Sequence, residues 1–312
     1  MRRIWAINRR IRVEKNHIVV GPKRIPIRAV YEVWAGPRTL KANEIYRLLR
    51  RRILIYFFDE AGFMGLATPM RTSYGLWTGK VTVMQAKAYM DKDRRLSIAR
   101  EIVGAIIHNI NVVYHWHIRK KTSRETTEKF KEIIRRAKEC LDKSDNVMLC
   151  EAKAWRALFG ALREIDGEFI GRIRHPPRDP LNALVSYING LLYAQCLHAI
   201  LLVGLDPMIS FVHEPSPKRR FSLPLDIKDI FMPYITIRLA LKLRRKLKEK
   251  HFVWREKRGR KACFLSRKGR TIVVGEFRRI LRSKFWDKTM YRIIVEEVER
   301  LGRAVVGGGE YR

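Results

Sequence analysis

Apolar and polar positions change period once along the chain. The first ~85 residues read as strands, because short apolar runs alternate with turn pairs. His17-Ile18-Val19-Val20 stops at Gly21-Pro22, and Val30-Tyr31-Glu32-Val33-Trp34 stops at Gly36-Pro37. A short helix is expected over Lys41 to Arg51. Ile53 to Phe58 follows as a buried strand, because it is short and rich in β-branched and aromatic residues. After Gly79 the spacing becomes helical. Ile98, Ile102, Ala105, Ile106 and Val113 build one apolar face. Further helices are expected over Ser123 to Leu141 (N-cap Thr122 or Ser123), Asn146 to Leu162, Leu181 onward, Pro224 to Lys250 and Asp287 to Arg303. Gly307-Gly308-Gly309 then opens a tail. The fold class is therefore α+β, with a small β-rich domain over residues 1–80 and a larger all-α domain over 81–312.

Composition narrows the partner. Apolar residues make up 46% of 312, enough for a substantial core. Lys and Arg number 66 against 31 Asp and Glu, a formal net charge of +35. Repulsion on that scale opposes compaction until a polyanion neutralises it, so DNA or RNA is the expected partner class. The same charge also fits a solvated basic surface with no specific partner. Cys140, Cys150, Cys196 and Cys263 form no CxxC pair and read as thiols of a reducing compartment. No secretory signal is read at Met1-Arg2-Arg3, so a cytoplasmic protein is expected. Ala183 to Val203 is the one candidate membrane span; Asn189, Gln195 and His198 interrupt it, so it reads as a buried helix instead. Scarce Gln among abundant Lys, Arg and Glu hints at a hot habitat.

Chemistry is concentrated in a few acidic residues. Asp226 and Asp229 lie three apart where a helix is expected, so they share a face. His213 precedes Asp226 across a loop. Glu151 sits in an apolar stretch, where a lone carboxylate is costly unless paired or metal-bound. Oxygen donors with one imidazole suit Mg²⁺ or Mn²⁺ better than zinc. Spacing alone leaves open that these acids are paired with nearby Lys and Arg. His115 and His117, two apart, point to different faces and do not share a metal. Lys218-Arg219-Arg220 fits either a phosphate contact or an exposed turn. The basic stretch Lys242 to Lys261, with Phe252 and Trp254, fits either a backbone-tracking surface or a solubilising helix face.

Longer runs carry more information. Glu151-Ala152-Lys153-Ala154-Trp155 with Phe159, the turn from Arg172 to Asn182, Gly204 to His213, and Leu223-Pro224-Leu225-Asp226-Ile227-Lys228-Asp229-Ile230-Phe231-Met232-Pro233 resemble the CRISPR-associated Cas-one integrase and endonuclease family. Weaker similarity reaches Met84-Gln85-Ala86, Asp93 to Arg100, and the Glu310-Tyr311-Arg312 ending. The resemblance implies Glu151, His213 and Asp229 as ligands of Mg²⁺ or Mn²⁺, with Asp226 as an acidic assistant. It implies dimerisation through the β-rich domain, and two such homodimers bridged by a Cas-two dimer. It also implies attack of a spacer fragment's 3′-hydroxyl on a phosphodiester of the CRISPR repeat, and cleavage of branched DNA. No membrane partner is implied. Three positions depart from the family pattern: Ala152 where Gly is frequent, Ser210 where Gly is common, and Met232 where Arg is frequent. A casposon-type transposon integrase is the alternative within the same chemistry. Such proteins tend to carry a C-terminal DNA-binding module, for which no room is read before Arg312. A basic DNA-binding scaffold without catalysis is the alternative outside it.

Overall fold

A computed structural model describes residues 2–69, 79–173, 176–215, 221–257 and 259–307. Lys218 to Arg220 and the glycine-rich tail beyond Gly307 lie outside the described residues. The strand-rich region holds β1 (Arg2–Ala6), β2 (Ile11–Val13), β3 (His17–Val20), β4 (Lys23–Pro26), β5 (Val30–Ala35), α1 (Ala42–Arg50), β6 (Leu54–Phe58) and β7 (Phe63–Ala67). The order β1-β5-β6-β7 forms one sheet, parallel except for the β6–β7 hairpin, and β2-β3-β4 forms a small antiparallel sheet.

Side chains alternate across the larger sheet, so it serves two cores. Ile4, Val33, Ile55 and Leu48 pack with Ile11 and Ile18 of the small sheet. Trp34, Leu54, Tyr56 and Phe58 point the other way, into the helical core. One buried polar cluster crosses that seam. Glu32 is fully buried, contacts Arg3, and has a carboxylate oxygen 2.7 Å from His198 Nδ1, while Arg3 also donates to Gln195 at 2.6 Å.

The helical layer holds α2 (Gly79–Met90), α3 (Lys92–Val113), α4 (Arg124–Lys143), α5 (Val147–Ile165), α6 (Pro180–Val203), α7 (Leu223–Met232) and α8 (Arg238–Arg244). Ser123, Asn146 and Asp179 cap α4, α5 and α6 through side-chain oxygens. α6 is the central helix. By length and composition it could span a membrane, but 72% of its most apolar window is buried inside the protein. The expected buried helix is what forms.

Three expectations are corrected here. The helix expected from Pro224 to Lys250 is broken. Pro233 has no N–H to donate, and the chain passes through a π-helical turn, Pro233–Ile237, before α8. Much of the basic stretch Lys242 to Lys261 is not a helix face. It includes most of the hairpin β8 (Phe252–Lys257) and β9 (Arg260–Leu265), which is followed by α9 (Arg267–Arg282). The last helix, α10 (Met290–Gly307), starts later than expected, because β10 (Lys284–Phe285) and β11 (Lys288–Thr289) occupy the residues before it.

The cysteines are the fourth correction. Cys140 and Cys150 form a disulfide, while Cys196 and Cys263 are free and buried. A short connection folds α5 back along α4 and brings the two Cα atoms to 5.5 Å, within disulfide reach despite the ten-residue separation. Intracellular proteins from hot habitats carry such bonds, so the bond does not require an oxidising compartment. Closing a loop this short contributes about 3 kcal/mol through the unfolded chain. Reduction, or Cys140→Ser, is therefore expected to lower the melting temperature by several degrees in calorimetry.

Candidate active site

The site begins where α6 ends. Gly204 takes the left-handed conformation (φ 89°) and turns the chain into a loop leading to α7. Gln85 of α2 braces that loop, donating to the carbonyls of Asp206 and Ile209 and accepting from the Asp206 N–H at 2.9 Å. Ser222 donates to the Met208 carbonyl at 2.7 Å and closes the loop at its other end.

The braced loop then converges on Asp226, in the first turn of α7. The N–H groups of Phe211, Val212 and His213 donate to its carboxylate at 2.7, 3.0 and 3.1 Å. His213 Nδ1–H donates to the same carboxylate at 2.8 Å. Asp226 is 1% exposed, so this carboxylate serves the loop and the imidazole rather than solvent. The arrangement fixes the His213 tautomer and leaves Nε2 as the acceptor, as in carboxylate–histidine–metal triads. Asp226 thus holds the loop and the His213 ring together in the structure.

Asp229 lies one turn further along α7, also buried, and contacts the ammonium of the buried Lys228. Asn109 of α3 holds α7 in place by donating to the Ile230 carbonyl at 2.9 Å. Glu151 enters from α5. Trp155 Nε1–H, one turn on, donates to its carboxylate at 2.9 Å. Burial first, and then the neighbouring Asp229 charge, push the Glu151 carboxyl up to about 7 against the opposing Trp155 hydrogen bond and the charges of His213 and Lys228. For His213, burial alone would lower the pKa. The Asp226 hydrogen bond and the charges of Asp226, Asp229 and Glu151 outweigh it, so the pKa is raised.

Glu151, His213 and Asp229 therefore share one field although three separate segments supply them. Among the described residues, no three His, Cys, Asp or Glu side chains form a closed metal cluster. The donor chemistry nevertheless fits a hard divalent cation, because the two carboxylates repel each other and such a cation relieves that repulsion, with an imidazole nitrogen as a further donor. Lys228 supplies that positive charge to Asp229 here. The departure at Met232 belongs to the same corner. Its Sδ accepts from Asn189 Nδ2 at 3.5 Å and lies 3.9 Å from Lys228 Nζ.

Sequence reading missed Lys228, Trp155 and Gln85 as supports. Trp155 was findable as the residue four after Glu151, and Lys228 as a cation inside an otherwise apolar helix face. The family-like run Met84-Gln85-Ala86 contains Gln85 but does not show its role, because its partners lie over a hundred residues away. His115 and His117 fall in a π-helical stretch, Tyr114–Ile118, away from this site.

The profile described as CRISPR associated protein Cas1 matches residues 4–279. The chain belongs to the Cas1 family. A CRISPR-associated endonuclease Cas1 from Pyrococcus horikoshii is 30% identical over 306 residues, covering 94% of this chain and 90% of that protein. The structure of a CAS1 protein from Thermotoga maritima superposes with a TM-score of 0.81 at 27% identity, covering 98% of this chain and 97% of that one. A casposase bound to its integration product shares the fold at a TM-score of 0.76 and 20% identity, covering 99% of this chain and 92% of that one. The Cas1 family therefore agrees with both the α+β class and the family read from the sequence motifs.

Proposed function

We propose that this Cas1-family chain is a divalent-metal-dependent DNA integrase and endonuclease of CRISPR adaptation. One observation carries the reading: Asp226 gathers three loop N–H groups and the His213 ring, aiming that ring into the field shared by Glu151 and Asp229. A DNA-binding scaffold gains nothing from burying repelling carboxylates at a cost in stability. A site that must hold a cation does.

Glu151, His213 and Asp229 would hold Mg²⁺ or Mn²⁺. The bound ion would polarise a phosphodiester and stabilise the attacking and leaving oxygens. The chain's residues supply the rest. Asp226 keeps Nδ1 protonated and Nε2 free, and Trp155 orients Glu151. In the reaction the 3′-hydroxyl oxygen of a spacer fragment forms a new P–O bond at the repeat. The P–O bond to the departing 3′ oxygen breaks, and a proton moves from the attacking to the leaving oxygen. One phosphodiester replaces another, so no energy source is needed. Water as the attacking group turns the same site into an endonuclease for branched DNA.

The proposed assembly is a homodimer, paired with a second by a Cas-two dimer, acting in the cytoplasm. The test is a strand-transfer assay on a repeat-containing plasmid, with and without Mn²⁺ and a Cas-two partner. Joined product only with metal supports the reading; equal product in EDTA overturns it. Insertion at transposon terminal repeats but not at CRISPR repeats would favour the casposon-type alternative.

The +35 charge makes a separate prediction. Binding to duplex DNA should be largely independent of sequence and should weaken by about 10³-fold or more between 50 and 200 mM salt, as expected when six or more phosphates are neutralised. Fluorescence anisotropy across that range checks it.

A further inference from the structure

A second basic feature lies at the seam between the β-rich region and the C-terminal helices. There β1, β4 and β5 face α9, β11 and the start of α10 across an open cavity of about 710 Å³. Arg3, Lys23, Arg24, Arg278 and Arg282 line it, and among the described residues no Asp or Glu does. Arg3 is neutralised by Glu32, and Arg24 pairs with Glu14 at 3.0 Å. Among the described residues, Arg278 has no such partner. Its Nε is buried without a hydrogen bond, and its nearest compensation is the face of Trp5, 5.5 Å from the guanidinium. Burial and the charges of Arg282, Arg3 and Arg9 all disfavour its protonated form. Tyr31 and Tyr291 complete the wall. A cavity with cations, aromatic rings and no acid suits a phosphate-bearing aromatic ligand.

The hairpin beside this cavity adds an independent observation. Arg282, just before the β10–β11 hairpin, and Thr289, its last residue, are both in the wall, and the hairpin's two-residue loop is Trp286-Asp287. Trp286 is fully exposed and has φ 58°. The first position of such a loop ordinarily takes glycine, and a bulky side chain there carries a backbone cost. Nothing in the fold repays that cost, because the indole touches no core. Strain held at a fully exposed tryptophan points to a ligand.

We propose that the β10–β11 hairpin and the seam cavity form a second DNA site, specific for single strands, in which a base stacks on Trp286 and the adjoining phosphates bind Lys23, Arg278 and Arg282. A projecting indole needs an uncovered base face, which a single strand offers along its length and an intact duplex does not. The surroundings, Lys284, Asp287 and Lys288, are charged, which disfavours an apolar protein partner. The proposal rests on the DNA-joining reading only for the identity of the polyanion.

The test is anisotropy with a dye-labelled ten-nucleotide oligonucleotide and with a blunt duplex, both in EDTA, so that strand joining plays no part. Trp286→Ala is expected to weaken oligonucleotide binding roughly tenfold or more, and Trp286→Phe to retain most of it. The duplex should lose less than about twofold with either variant. Arg278→Ala with Arg282→Ala should make the oligonucleotide salt dependence shallower by about 1.4 in log–log slope, two phosphates on a single strand. Because Trp286 is fully exposed, Trp286→Ala should melt as the wild type does. Unchanged oligonucleotide binding by Trp286→Ala would overturn the proposal. So would an equal loss on the blunt duplex, or a site that deoxyadenosine monophosphate fills while the oligonucleotide fails to compete. Each of these results leaves the strand-transfer assay free to succeed or fail separately.

Discussion

Glu151→Gln is expected to abolish strand joining, a loss on the order of 10³-fold or more, and at the same time to stabilise the metal-free protein. Both effects have one cause. The Glu151 carboxyl is buried beside Asp229 and titrates near 7 in the folded protein, against about 4.3 in an unfolded chain. Below about pH 4.3 the group is protonated in both states and costs nothing. As pH rises towards 7 the folded state alone keeps the proton, so its stability falls relative to the unfolded state; above 7 the full penalty, a few kcal/mol, is in place. His213, whose pKa is also raised, acts in the same direction. In EDTA, the melting temperature of the wild type should therefore fall relative to that of Glu151→Gln between pH 5 and 8. Mn²⁺ should restore the wild type and do little for the variant. Parallel melting curves at both pH values would contradict the burial account, and wild-type joining by the variant would contradict the functional one.

Asp226→Ala should do the opposite to the fold. It strands the N–H groups of Phe211, Val212 and His213 in a buried setting and frees the imidazole to rotate. The expected cost is about 3–5 kcal/mol, seen as a clear drop in melting temperature. Asp226→Asn keeps an acceptor and should fold better. Its loss should appear as a 10- to 100-fold higher metal requirement, so that excess Mn²⁺ restores much of its joining. A direct ligand would not be restored that way. Metal titrations of Asp226→Asn and Glu151→Gln, run side by side, separate positioning from ligation.

Much of this was legible in the chain. The change of period near Gly79 marked the passage from strands to helices, because periods of 2 and 3.6 come from the backbone itself. The oddity of Glu151 was also visible, since a carboxylate in an apolar helix stretch is expensive wherever it ends up. What spacing could not show was the division of labour between Asp226 and Asp229. Three apart on one helix, they look equivalent, and only the loop folding back onto α7 assigns one to the histidine and leaves the other to Lys228. The hairpins near the C-terminus were hidden for another reason. Arg and Lys dominate that region, so charge masked the alternation in Phe252 to Leu265 and left Trp286-Asp287 without the glycine that signals a tight turn. The disulfide escaped because proximity in a helical hairpin is a property of the fold and not of cysteine spacing.

One contact far from the chemistry bears on how freely this protein can vary. Gly190, in the middle of α6, has no room for a side chain: a methyl group there would come within 2.9 Å of the Phe63 nitrogen and 3.0 Å of the Gly62 Cα. Gly62 itself has φ 128°, which L side chains rarely adopt. The β6–β7 hairpin thus rests directly on the backbone of α6. The residue before, Asn189, hydrogen-bonds instead to Met232, the last residue of α7, and to Thr236 in the turn that follows it. A single turn of α6 is therefore a shared bearing for the hairpin and for the segment that carries Asp226 and Asp229. In a saturation mutagenesis screen for spacer acquisition, position 190 should tolerate as little as a metal ligand does, although it touches neither metal nor DNA.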